Sequence, residues 1–282
     1  MQTHRRGNYF VSQDYRSITE LPDSLLNTEQ LMRLSHRYLL GARLVTAKRV
    51  LEVACGAGAG LGLLAQSVQQ LVAADYSLSV LQMAQAHYTR RYPLVCGDAS
   101  WLPFPAAAFD VICCFEALYY LPDYNHFLRE SRRILTSGGT LLLSVSNPDW
   151  RYFVPGLLTT HYPTAPALAQ SLLNAGFTDL QLFGILPSSA ASPLTRLRHH
   201  LRRWVLQANP SIATGVFAQT LKRLLYSRLL PMPAELTPHA AAAMGGEVKM
   251  TPLPLDRPDT VHRVLYVLCS AGSSAEACEA NP

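Results

Sequence analysis

The sequence predicts an α/β fold, a doubly wound and mostly parallel sheet with helices on both faces. Three observations predict it. Strand-like and helix-like stretches alternate five times between residues 49 and 145. The strand-like stretches are near-continuous apolar runs, as expected of strands covered on both faces. The first run breaks into Gly56, Gly58 and Gly60 and then resumes with a helical pattern. Glycine takes a positive φ at no steric cost and lets a ligand lie against the backbone. Alone, that turn is equally consistent with a tight corner that binds nothing.

The chain has 282 residues, 49% of them apolar and 15% charged, with a net charge of +5. That length suffices for a full core with an insertion. No apolar run approaches the roughly 20 residues that span a bilayer, and no apolar leader follows the basic N-terminal residues. The six cysteines form no CxxC pair, and most lie in apolar runs, so buried reduced thiols are expected rather than disulfides or a metal site. The scattered histidines form no metal-ligand cluster. A cytoplasmic location follows as an expectation.

Residues 1–48 read as an N-terminal helical cap, with an amphipathic helix over about 19–45 carried by Leu25, Leu26, Leu31, Leu34, Tyr38 and Leu39. The first strand is 49–54 and a helix follows near 60–70. The second strand is 71–75, after which Ser77 can cap a helix through 79–88. The third strand is 93–96 and the fourth 109–115. Asp123 can cap a helix over 124–135. After a turn at 136–139 comes the fifth strand, 140–145. Thr164 can cap a helix over 165–175, and 180–185 reads as a sixth strand. Residues 49–186 thus form the core domain, and 187–255 a helical insertion with stretches near 194–206 and 216–229. The last strand lies within 256–270, and 271–282 is a tail expected to be disordered.

Ligands of open α/β sheets bind beyond the carboxyl ends of the strands, and four features fall there. Glu52, Gly56, Gly58 and Gly60 close the first strand. Asp75 closes the second, where a carboxylate can accept both hydroxyls of a ribose, and Tyr76 beside it can lie on an adenine face. Asp98 and Ala99 follow the third, placed to read an exocyclic amine and a ring nitrogen. Phe115 and Glu116 end the fourth.

With these residues in order, the chain resembles the class I S-adenosylmethionine-dependent methyltransferases. The likeness runs from about residue 49 to 183. It rests on Val50–Gly60, on Asp75-Tyr76, on Gly97-Asp98-Ala99 followed by Leu102-Pro103-Phe104, on Phe109-Asp110, and on Arg133–Thr140. The resemblance implies a seven-stranded Rossmann-like sheet and S-adenosylmethionine as cofactor. It implies that Glu52 orients the glycine loop, that Gly56 and Gly58 admit the methionine end, and that Asp75 holds the ribose. Tyr76 then packs on adenine, Asp98 and Ala99 read its edge, and Phe115 meets the amino-acid end. Tyr15 is a looser match for a group closing over the carboxylate. Ala54 stands where the family often has glycine, a departure expected to matter little.

A nicotinamide-dinucleotide enzyme is disfavoured, since its fingerprint needs glycine or alanine where Leu61 stands. Asn147-Pro148 is a turn, because the Asn-Pro motif of nucleic-acid methyltransferases belongs after the fourth strand. In this fold the last strand is usually antiparallel between the fifth and sixth, so the insertion leaves from the ligand side as a lid or wall. No Asp or Glu occurs between residues 180 and 234, whereas Arg196, Arg198, Arg202, Arg203, Lys222, Arg223 and Arg228 do. That basic span is either a solvated face or a surface for an anionic substrate, carrier protein or lipid. The overall charge and the lack of a stacking platform exclude nucleic acid.

The expected function is methyl transfer to an O, N or C atom of a small molecule, a specialised metabolite that can be anionic or carrier-bound. The alternatives are a non-methylating reaction such as cyclisation on the same cofactor, and a binding module docking through the basic helices. Glu116, Tyr119, Tyr120 and His161 are the candidates for a general base, if the acceptor must lose a proton.

Overall fold

The computed structural model describes residues 19–156, 158–187, 229–245 and 248–272. In chain order the elements are β1 (Leu25–Asn27), α1 (Thr28–Leu44), β2 (Arg49–Val53), α2 (Leu61–Leu64), β3 (Gln70–Asp75), α3 (Leu78–Tyr88), β4 (Leu94–Cys96), β5 (Phe109–Phe115), α4 (Tyr124–Ile134), β6 (Leu135–Ser146), α5 (Ala165–Asn174), β7 (Phe177–Pro187), β8 (Leu229–Pro231), α6 (Pro238–Gly245), β9 (Thr251–Leu253) and β10 (His262–Ala271). The main sheet has the order β4-β3-β2-β5-β6-β10-β7-β9. β2 pairs in parallel with β3 and β5, and β10 runs antiparallel between β6 and β7, as expected.

Adjacent residues of the central strands feed opposite layers. Leu51, Val53, Val72 and Ala74 pack with Phe127, Leu128, Leu168 and Leu172 of α4 and α5. Val50, Leu71, Ala73 and Cys113 pack with Leu31, Leu34 and Tyr38 of α1 and with Leu81 and Ala84 of α3. Complete burial of Val50 and Leu51 contributes about 1.5–3 kcal/mol each. This two-sided burial is why the runs show no polar alternation. Cys55, Cys113, Cys114 and Cys269 are buried free thiols, and Cys96 is an exposed one.

The structure differs from the expectations in several places. α1 begins nine residues late, because Asn27 and Gln30 close a capping box and cap each other's backbone. The residues ahead of it form β1, which pairs antiparallel with β8. α2 is one short turn, because the amides of Gln69 and Gln70 both turn to Lys48 O and draw the chain into β3. Ser77 precedes α3 but its side chain makes no cap bond; its hydroxyl pairs with that of Ser79 instead. Asp123 and Thr164 do cap α4 and α5. The sheet has eight strands rather than seven, since β9 adds to β7 at the edge. The described part of the insertion is not purely helical but consists of β8, α6 and β9. Its basic stretches near 194–206 and 216–229 lie outside the described residues, except for Leu229, which begins β8; nearly all of the tail lies outside them too. No helix among the described residues is long and apolar enough to cross a membrane.

Candidate functional site

The carboxyl ends of β2, β3, β4 and β5 open onto one cavity of about 710 Å³, within the usual range for small-molecule sites. The turn after β2 forms its floor. Ala54, Gly56 and Gly58 all have positive φ, at 59°, 60° and 79°. Gly56 N donates to Asp75 Oδ2 at 2.9 Å, and Ser77 N donates to Asp75 Oδ1 at 2.8 Å. A Cβ on Gly56 would meet only the Thr19 methyl, at 3.1 Å. Burial pushes the Asp75 carboxyl up, against the amides of Ser77, Gly56 and Tyr76. One carboxylate thus ties the end of β3 to the turn after β2.

Glu52 and Gly58 sit beneath this floor and do not line the cavity. Tyr38 OH donates to Glu52 Oε1 at 2.6 Å, while the buried Oε2 has no hydrogen-bond partner among the described residues. Burial raises the Glu52 carboxyl to about 7, against the Tyr38 hydroxyl and Arg37. Gly58 is needed for its conformation and for space. Its carbonyl accepts from Tyr88 OH at 2.7 Å, and a Cβ would sit 2.9 Å from Leu61 Cδ1.

After β4, Asp98 Oδ1 accepts from Ser100 N at 2.8 Å, which closes a small turn. Asp98 and Ala99 line the cavity, flanked by Tyr76 and by Trp101, which is 70% exposed and rests on His126. After β5, Phe115 packs edge-on against Tyr38 at 5.3 Å. Glu116 follows with φ 54°. Its Oε2 accepts from Tyr119 OH at 2.7 Å and Ser146 Oγ at 3.0 Å, and lies 2.9 Å from Arg33 Nη2. Burial pushes the Glu116 carboxyl up, but Arg33, Arg37 and the two hydroxyls outweigh it and hold it below the usual range.

The same geometry bears on the candidate bases. A carboxylate with lowered proton affinity and three donors on one oxygen is a poor base and a good anchor. Tyr119 donates to that anchor, and burial and Glu116 push its phenol well up. Burial also raises the phenol of Tyr120, with Tyr162 and Glu116 adding to it. His161 stacks on Tyr124 at 6.0 Å and does not line the cavity. The structure therefore brings together Ala54, Gly56, Asp75, Tyr76, Asp98, Ala99, Phe115, Glu116, Tyr119 and Tyr120. Glu52, Gly58 and His161 stand apart, and Tyr15 lies outside the described residues.

Sequence reasoning missed Glu20, Arg33, Arg37 and Met232, which also line the cavity. The available signal was the spacing of Arg33 and Arg37, one helical turn apart beside the buried Leu34 and Tyr38. Met232 carried no signal. It reaches the cavity because β8 pairs with β1, with Met232 N donating to Ser24 O and Asp23 N to Met232 O.

Residues 51–143 match a family described as a methyltransferase domain. A protein of Mycobacterium tuberculosis named a probable S-adenosylmethionine-dependent methyltransferase is 37% identical over 149 residues, covering 50% of this chain and 52% of that one. A fatty-acid O-methyltransferase of Mycolicibacterium smegmatis is 36% identical over 117 residues, covering 39% of this chain and 41% of that one. The chain thus spans about half the length of the curated relatives it matches. A phosphoethanolamine N-methyltransferase of Haemonchus contortus, solved with S-adenosylmethionine, shares the fold at a TM-score of 0.51 with 14% identity, covering 84% of this chain and 52% of that one.

Proposed function

We propose that this chain, which carries a class I S-adenosylmethionine-dependent methyltransferase domain, moves the methyl group of that cofactor onto a small acceptor with an apolar body. The observation that carries the reading is the Asp75–Gly56 tie at the floor of the cavity. It holds a buried carboxylate and a glycine backbone together at one edge of the cavity.

The residues present suit the cofactor. Asp75 would accept the ribose hydroxyls, Tyr76 would cover the adenine, and Asp98 with the Ala99 amide would read its edge. The backbone of Ala54 and Gly56 and the end of β5 at Phe115 would hold the amino-acid end. Bound there, the cofactor supplies an electrophilic methyl group on a sulfonium and leaves as S-adenosylhomocysteine. The chain's own contribution is placement, since in-line transfer depends on the alignment of two partners. Leu34, Leu121, Pro122 and Met232 give the remaining wall an apolar lining, which excludes water and favours an apolar acceptor. The fatty-acid substrate in the name of one relative supports the same class. Among the described residues no side chain on the wall is tuned as a strong base, so an acceptor that is already nucleophilic or readily ionised fits best.

Titration calorimetry tests this. S-adenosylmethionine should bind in the micromolar range, and Asp75→Ala should weaken binding by a factor of about 10 to 100, as expected for losing a charged hydrogen-bonding group. Wild-type protein that does not bind the cofactor would refute the reading.

A further inference from the structure

Arg33 and Arg37 share the cavity face of α1, one helical turn apart. Their side chains are only 17% and 9% exposed. Each guanidinium offers five N–H donors in a planar fork. Among the described residues each meets one carboxylate through Nη2: Arg33 meets Glu116, and Arg37 meets Glu20. Among the described residues the Nε of both has no hydrogen-bond partner. Buried charged donors without acceptors are costly, at more than the 1–3 kcal/mol of a neutral group, so the cavity has to bring acceptors to them. Glu116 follows β5 and Asp98 follows β4, three strand positions away, or about 14 Å at ~4.8 Å per strand. The arginines therefore stand at the far end of the cavity from the adenine-reading residues.

Resting on the cofactor reading above, we propose that Arg33 and Arg37 form a carboxylate-binding subsite at the Glu116 end of the cavity. The carboxylate belongs either to the amino-acid part of the cofactor or to an acidic, apolar acceptor. A guanidinium fork matches a planar carboxylate in two-point contact. Glu20 and Glu116 already set two negative charges beside the two positive ones, so a singly charged group is accommodated more readily than a doubly charged phosphate. Each ion pair engages one nitrogen of its guanidinium, and both side chains line the cavity.

The test is calorimetry on the full chain with three probes. These are S-adenosylhomocysteine, 5′-methylthioadenosine (which lacks the amino-acid carboxylate), and decanoate added to protein saturated with S-adenosylhomocysteine. The variants are Arg33→Lys and Arg37→Lys, which keep the charge and lose the fork, with thermal midpoints measured alongside. If the cofactor is the source, both variants weaken S-adenosylhomocysteine tenfold or more and methylthioadenosine less than twofold. If the acceptor is the source, they spare both nucleosides and weaken decanoate tenfold or more. Glu20→Gln, which removes the ion-pair partner of Arg37, tightens the carboxylate-bearing probe at least threefold and leaves methylthioadenosine unchanged. This arm stands even if a lysine variant fails to fold. Unchanged binding of every probe, or equal losses for the two nucleosides, overturns the subsite. Wild-type protein that binds neither nucleoside overturns the cofactor reading instead.

Discussion

The floor and the wall of the cavity are built in different ways. The floor comes from four strand ends that follow one another within residues 53–116, and its contacts run from backbone to a nearby carboxylate, as between Gly56 and Asp75. The wall comes from α1, the segment ahead of it and the return of the insertion at Met232. Its contacts join residues far apart in the chain, such as Asp23 with Met232 and Leu236 N with Ala59 O. A parallel sheet can place only the ends of its own strands. Whatever closes the space above them has to be supplied by other segments, and those are free to differ from one acceptor to another.

Gly60 is where floor and wall touch, so breaking that contact should have the largest effect. A Cβ there would fall within 2.2 Å of the Tyr38 ring, and Tyr38 holds Glu52. Gly60→Ala should lose about 4 kcal/mol of stability, from overpacking and from the lost charged hydrogen bond. Urea denaturation measures it, and a loss below 1 kcal/mol would mean that floor and wall are independent.

Glu52 offers a pH-dependent view of the same contact. Its folded value of about 7 lies above the ordinary 4.5, so the folded state favours the protonated acid. The stabilisation from this group is complete below pH 4.5 and is lost as pH rises to about 7. Glu52→Gln should remove that slope, gaining on the order of 3 kcal/mol relative to wild type across the window. Denaturation midpoints at several pH values would reveal it.

Ala54 sharpens the comparison within the floor alone. Its φ of 59° costs an L-residue roughly 1–2 kcal/mol, so the departure from glycine carries some strain. Ala54→Gly should raise stability by about 1 kcal/mol or less once the added chain entropy is counted, with no change in the wall. Smallest of all is the outer clamp, where Glu235 pairs with His87 at 2.9 Å and Arg91 at 3.2 Å. These groups are partly exposed, so Glu235→Ala should cost about 0.5 kcal/mol. The cost should shrink further in high salt, as salt-dependent denaturation would show.

Floor and wall also differ in how far they can be read from residues alone. Asp75, Asp98 and Phe115 were legible because each lies where an apolar run stops, and the polar residue at or just after that point marks where the chain leaves the sheet. Asp123 and Thr164 were legible as caps because a cap is a local hydrogen bond. Ser77 misled, because its hydroxyl is taken by Ser79, a competitor that a capping preference does not weigh. Glu116 was legible as a site residue but not in its role. Its neighbours Arg33 and Ser146 approach from α1 and β6, and they help to hold its carboxyl below the usual range.

By itself, the sequence determined the parallel core and the edge at which its strands end on the cavity. Both follow from short-range regularities, in which apolar runs must be covered on two faces and glycine must take the turn. The tertiary structure alone decided the wall. Arg33, Arg37 and Met232 become neighbours through the pairing of β1 with β8 and the packing of α1, and the energy of such contacts depends on what lies opposite in space. No local pattern records it.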